Sequence, residues 1–206
     1  MNLYKQDPRS NNIWFDDSSV NQYFLDYQLN LQKALSTLDS NELEKAYQLM
    51  DKITSQQGTF FVCGNGGSNA IAEHLCCDWT KGTYIENKVS LRTICLNSNG
   101  PLLTAAANDF GFEKAMGYLL QIQAKPLDAL IVISSSGKSA NIIEAINVAR
   151  KLNIPVMSLT GFSGGEAKEL ADVKLHINFS NYAIIEDAHQ AIMQCLAQFF
   201  YTKKSK

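Results

Sequence analysis

The sequence predicts an α/β fold: a doubly wound, five-stranded parallel sheet flanked by helices, with an N-terminal helical extension. Three observations predict it. Short apolar runs at Thr59–Cys63, Leu91–Leu96, Ala129–Ile133, Val156–Leu159 and Val173–Ile177 alternate with helical stretches. That rhythm produces right-handed crossovers and a parallel sheet with helices on both faces. The 206 residues are 46% hydrophobic and 18% charged, a balance that excludes disorder and fibrous architecture and supports one sizeable core without disulfide or metal staples. Finally, no repeat, low-complexity tract or long linker divides the chain.

Taken in order, residues 1–18 read as a polar arm with Pro8 and several Asn and Asp, and 19–206 as a single domain. Within it, 19–57 form two leading helices. Tyr23, Leu25, Leu29, Leu31, Leu35 and Leu38 fall close to helical spacing, and Asp39 with Glu42 three residues on has the form of a capping box opening a second helix that runs to about Gln56, before Gly58. These helices are extra to a sheet fold, and an apolar pair of this kind commonly packs against a second subunit. Residues 58–202 hold the sheet, with helices expected near 69–81, 100–122, 140–152 and 165–171, and a last one from about Ala183 to Tyr201.

The formal net charge of -2 offers no field to hold a nucleic-acid backbone or an anionic membrane. Lys203, Lys204 and Lys206 form a solvated basic tail. A basic leader and an apolar run of the ~18 residues that span a bilayer are both lacking, so the expected location is cytoplasmic. Cys63, Cys76, Cys77, Cys95 and Cys195 show no CxxC spacing and read as reduced core thiols.

In doubly wound sheets, ligands bind where strand carboxyl ends lead into helix N-termini. After the first strand stands Gly64-Asn65-Gly66-Gly67-Ser68-Asn69, whose glycines let successive N–H groups converge on an anion or a sugar hydroxyl. It is no dinucleotide fingerprint: Asn69 stands where Gly or Ala is needed, and Leu96-Asn97 ends the second strand where an acid is needed. After the third strand, Ser134-Ser135-Ser136-Gly137-Lys138-Ser139 runs straight into a helix. Hydroxyls and N–H groups at the positive end of a helix suit a phosphate monoester. The P-loop register is missing, which argues against a nucleoside triphosphate.

His74 and Asp78, at i and i+4, share one helical face. Glu186 and Gln194, eight residues apart, stand about 80° apart around the last helix. Four such groups can bind a divalent ion or share proton transfers, or form a solvated or intersubunit polar cluster.

Gly64-Asn65-Gly66-Gly67-Ser68, Asn108-Asp109-Phe110-Gly111, and Ser134–Ser139 followed by Leu159-Thr160-Gly161 resemble the SIS-domain phosphoheptose isomerases over about residues 20–200. The resemblance implies a homotetramer joined through the N-terminal helices and a sugar-phosphate site shared between subunits. It also implies substrate contacts at Asn65, Gly66, Gly67, Ser68, Ser134, Ser135, Ser136 and Ser139, and at Ser98 and Asn99, which replace the family's Thr-Asp pair. Zinc is implied at His74, Asp78, Glu186 and Gln194, with proton transfer at the positions of Asp78 and Gln194. The family carries His, Glu, Gln and His there, so only His74 is unchanged. Gln194 cannot exchange a proton at neutral pH, and Glu186, which also faces the substrate, is expected to take over its role. A divalent metal held by His74, Asp78 and Glu186 with an open fourth position is expected. His189 is read as a satisfied structural histidine and His176 as structural. The expected function is aldose–ketose isomerisation of a sugar phosphate such as sedoheptulose 7-phosphate, feeding heptose synthesis for surface polysaccharide. A non-catalytic sugar-phosphate sensor or protein-binding SIS protein is the alternative, and lyase or etherase chemistry a weaker third.

Overall fold

The computed structural model of the protein describes residues 11–88 and 90–206. Most of the expected 1–18 arm lies outside the described residues. Its described end packs against the start of the last helix: Ile13 N–H donates to the Ser180 carbonyl at 2.6 Å, Asn181 Nδ2 donates to the Ile13 carbonyl at 2.8 Å, and Tyr182 N–H donates to Asn12 Oδ1 at 3.1 Å.

The two leading helices are α1 (Val20–Leu35) and α2 (Ser40–Ser55). Ser19 caps α1 by accepting from Gln22 N–H, and Asp39 caps α2 by accepting from Asn41 N–H. The capping box does not close. Glu42 turns outward, pairing through Oε1 with Lys45 and accepting through Oε2 from the backbone N–H of Lys174 at 2.7 Å.

Strands β1 (Thr59–Gly64), β2 (Arg92–Cys95), β3 (Ala129–Ser134), β4 (Val156–Thr160) and β5 (Val173–His176) form one parallel sheet in the order β2-β1-β3-β4-β5. The inner strands β1, β3 and β4 are buried throughout, which explains why they read as continuous apolar runs rather than alternating ones. Period-2 geometry sends Phe60 and Val62 to one face, with Met50 and Ile53 of α2, and Phe61 and Cys63 to the other, with Met116 and Leu120. Each face therefore has its own apolar layer.

The remaining helices are α3 (Gly67–Gly82), α4 (Gly100–Phe110), α5 (Phe112–Gln123), α6 (Ala140–Lys151), α7 (Gly165–Leu170) and α8 (Tyr182–Lys204). The single helix expected over 100–122 is two, because Gly111 at φ +88 ends α4 and starts α5. Helices α3 and α8 lie side by side and run the same way: Glu186 sits over Gly67, Gln190 meets His74, and the Trp79 indole donates to the Met193 carbonyl at 3.0 Å. Tyr27 of α1 donates to Asp187 of α8 at 2.6 Å, tying the leading helix to the same element. Among the described residues, no helix is long and apolar enough to cross a membrane. The five cysteines are free; Cys63 and Cys95 are buried, but Cys77 and Cys195 are exposed, so only part of the core-thiol expectation holds.

Candidate active site

The strand order reverses direction between β1 and β3, and that switch point opens a crevice at their carboxyl ends. A cavity of about 160 Å³ lies there, lined by Asn65, Ser68, Ile133, Ser134, Ser135, Ser136, Ser139, Tyr182 and Glu186. The glycine loop and the serine loop thus face one small polar space.

The serine loop is folded by its own backbone. Gly137 N–H donates to the Ser134 carbonyl at 3.0 Å, and Lys138 N–H donates to Ser136 Oγ at 3.3 Å. Gly137 has φ +64, and a Cβ there would sit 1.8 Å from the Gly164 carbonyl oxygen; only glycine permits this contact with the loop after β4. Ser139 is the N-cap of α6, yet its side chain makes no capping hydrogen bond. Its hydroxyl lines the cavity instead. Ser135 is buried, and its Oγ has no hydrogen-bond partner among the described residues. A buried hydroxyl without a partner is costly, and here it belongs to the wall of an anion-sized space at a helix N-terminus.

The opposite wall is Glu186. Its carboxylate lies against Gly67, where a Cβ would stand 2.5 Å from Oε2. The absent side chain is what admits the acid. Burial, followed by the neighbouring Asp187 charge, raises the Glu186 pKa above its ordinary value, as expected for a carboxylate with little solvent.

His74, Asp78 and Gln194 do come together, as the resemblance implied, while Glu186 lines the cavity at the strand ends. His74 Nε2 is 2.8 Å from Asp78 Oδ2, and Gln194 Nε2 donates to the same Asp78 oxygen and is 3.3 Å from His74 Nε2. Gln190, which the sequence reading missed, is 2.5 Å from His74 Nδ1; its signal was the i+4 step that links Glu186, Gln190 and Gln194 along one face. His74 lies seven residues after Gly67, on the order of 10 Å along α3. Asp78 and Gln194 open instead onto a separate cleft of about 420 Å³ with Gly82 and Tyr201.

Ser98 and Asn99 are committed within their own turn. Ser98 Oγ donates to the Cys95 carbonyl at 2.9 Å, and Asn99 Oδ1 caps α4 by accepting from Leu102 N–H at 3.1 Å. Neither is among the residues lining the cavity. Two lining or supporting residues were not foreseen. Tyr182, first residue of α8, packs against Phe162 with centroids 4.7 Å apart and the rings tilted by 59°, and Asn141 pairs with Asn65 through two hydrogen bonds of 2.9 Å. His189 is fully buried, and neither ring nitrogen has a hydrogen-bond partner among the described residues, where a satisfied histidine was expected. Burial lowers its pKa to about 4. His176 Nδ1 is 3.0 Å from Thr160 Oγ1.

The SIS domain family model matches residues 22–161. The phosphoheptose isomerase of Aliarcobacter butzleri is 34% identical over 172 residues, covering 84% of this chain and 90% of that protein. The chain belongs to the SIS-domain phosphoheptose isomerase family. A Helicobacter pylori phosphoheptose isomerase is 31% identical over 191 residues, with 91% of this chain and 98% of that protein covered. The solved phosphoheptose isomerase from Francisella tularensis superposes with a TM-score of 0.81 at 27% identity, covering 91% of this chain and 97% of that one.

The zinc that this family implies fits the residues present poorly. Catalytic zinc sites use three protein ligands drawn from imidazole, thiolate and carboxylate. Among the described residues, no group of three His, Cys, Asp or Glu could hold a metal ion. The cluster supplies one imidazole and one carboxylate, already bonded to each other, and otherwise neutral amides. Glu186, the expected third ligand, lines the other cavity.

Proposed function

We propose that the protein is a phosphosugar isomerase that interconverts a ketose and an aldose phosphate, with sedoheptulose 7-phosphate as substrate and heptose units for surface polysaccharide as the use of its product. The observation that carries this reading is the cavity at the β1/β3 switch point, which sets a half-buried carboxylate, Glu186, opposite a serine loop suited to a phosphate monoester. The named activity of relatives matched over nine-tenths of their length supports it.

In this reading, Ser134, Ser135, Ser136 and Ser139 with the N-terminus of α6 hold the phosphate, and Asn65 and Ser68 hold sugar hydroxyls. Glu186 takes the proton from the carbon beside the carbonyl. The C–H electron pair becomes the carbon–carbon double bond of an enediol as the carbonyl oxygen gains a proton from solvent; Glu186 then returns its proton to the former carbonyl carbon while the hydroxyl on the other carbon gives its proton to solvent and becomes the new carbonyl. A carboxyl whose pKa is raised by burial suits a group that both takes and returns a proton. Asp78, held by His74 and Gln194, is a second acid–base group on the same pair of helices. No step is assigned to a metal, and chelation is expected to leave the rate unchanged.

The protein acts as a homotetramer in this reading. Val20, Phe24, Leu25 and Leu29 of α1 are exposed, and a second subunit against this helix would take that apolar surface out of water.

Solvent proton exchange into sedoheptulose 7-phosphate in deuterated water tests the reaction directly. Glu186→Gln keeps size and hydrogen bonding, and should slow exchange by roughly 10²–10⁴-fold while leaving sugar-phosphate binding in place. Wild-type protein that exchanges no proton with any heptulose or hexulose phosphate, with or without added zinc, would sink the isomerase reading.

A further inference from the structure

We propose that Asn141 is a positioning residue for sugar recognition, fixing which atom of the Asn65 carboxamide faces which way in the cavity. The proposal rests on the sugar-phosphate reading above. Asn141 is the second residue of α6 and 3% exposed. Its Oδ1 accepts from the backbone N–H of Ile142 at 3.0 Å and from Asn65 Nδ2 at 2.9 Å. Its Nδ2 donates to Asn65 Oδ1 at 2.9 Å and lies 3.6 Å from Met116 Sδ.

A carboxamide can ordinarily swap its oxygen and nitrogen by a half-turn. A flip of Asn141 would set its NH2 against the Ile142 N–H, a donor shared between Asn141 Oδ1 and the Ser139 carbonyl at 3.0 Å each, so the oxygen stays on that side. With Asn141 oriented by the helix, reciprocity orients Asn65: its nitrogen must meet Asn141 Oδ1 and its oxygen Asn141 Nδ2. Asn65 spends one N–H and one lone pair on this pair and keeps one of each. Those remaining groups are held in a set order at the cavity wall, where a sugar hydroxyl, both donor and acceptor, can use them. The pair also bridges the two loops across the switch point, the glycine loop after β1 and the helix that follows the serine loop. Phosphate binding by the serines needs none of this. Discrimination of a sugar phosphate from bare phosphate does.

The test measures affinities for sedoheptulose 7-phosphate and for inorganic phosphate by titration calorimetry on wild type, Asn65→Ala, Asn141→Ala and the double variant. The expected result is that each single substitution lowers the sugar-phosphate to phosphate affinity ratio by about tenfold. Phosphate affinity should hold, and the double variant should fall no further than either single one. Should Asn141→Ala fail to fold, Asn141→Ser keeps an acceptor near Ile142 N–H but is too short to reach Asn65, and should lower the ratio equally. A wild-type preference for the sugar phosphate that survives loss of Asn141, or single effects that add in the double variant, overturns the proposal alone. Wild-type protein with no such preference overturns the parent reading and this one together.

Discussion

Glu186 and His189 stand one turn apart on α8 and respond to acid in opposite senses. Folding raises the Glu186 pKa, so between its ordinary and raised values the folded protein holds a proton that the unfolded chain has released, and stability falls as pH rises through that window. Glu186→Gln removes this cost. Its melting temperature should exceed that of wild type near neutral pH, and the gap should close below the ordinary value of 4.5. His189 goes from an ordinary 6.5 to about 4. There the unfolded chain takes up the proton first, so stability is lost as pH falls from 6.5 toward 4, on the order of 3 kcal/mol. Urea denaturation across that range should show the loss, and His189→Gln should flatten it. Helical spacing put His74 and Asp78 on one face, and only the family resemblance joined Gln194 of another helix to them. The spacing misplaced Glu186, because an angle around an axis says nothing of height along it, and eight residues are about 12 Å. Ser98 and Asn99 illustrate another limit: a polar side chain after a strand can satisfy its own turn as readily as a ligand, as these two do, and sequence does not distinguish the two.

The strands were legible because inner strands of a parallel sheet are apolar along their whole length, as β1, β3 and β4 are. Helix breaks were less so. The apolar pattern continues across Gly111, and only its φ of +88 divides α4 from α5. The capping box failed because Glu42 found a better donor in Lys174, 132 residues away, which no local pattern reveals. The serine loop depends on a distant element too, since Gly137 leans on the backbone at Gly164. Gly137→Ala combines a positive φ with a backbone collision, and should cost about 3 kcal/mol in urea denaturation. The thermal shift induced by inorganic phosphate should vanish with it. A variant that keeps both stability and shift would show that the two loops are not mechanically joined.

At the scale of the whole molecule, the alternation of elements gave the fold class but not the strand order, because every parallel arrangement of five strands shares that alternation. The switch point between β1 and β3, and with it the meeting of the two loops, had to be seen. The proposed assembly has one sign in the sequence, the apolar surface of the leading helices. Those helices differ in what they bury: α2 supplies Met50 and Ile53 to the core, while α1 keeps Phe24 and Leu29 outward. Phe24→Asp with Leu29→Asp should therefore yield a folded protein of smaller sedimenting mass, whereas deleting residues 1–56 should leave an insoluble chain. A doubly substituted protein that sediments as wild type does would place the subunit contacts elsewhere.

The outward turn of Glu42 also bears on how the protein survives at high concentration. Strand β5 ends the sheet, and a bare edge offers its backbone to any passing strand, the usual seed of edge-to-edge aggregation. The carboxylate of Glu42 already occupies the outward N–H of Lys174, and just beyond the strand Thr37 Oγ1 occupies that of Asn178 at 3.0 Å. The turn between the first two helices and the start of the second thus seal this margin of the sheet with side-chain oxygens, and a polymerising neighbour would have to displace a charged acceptor before its first rung could form.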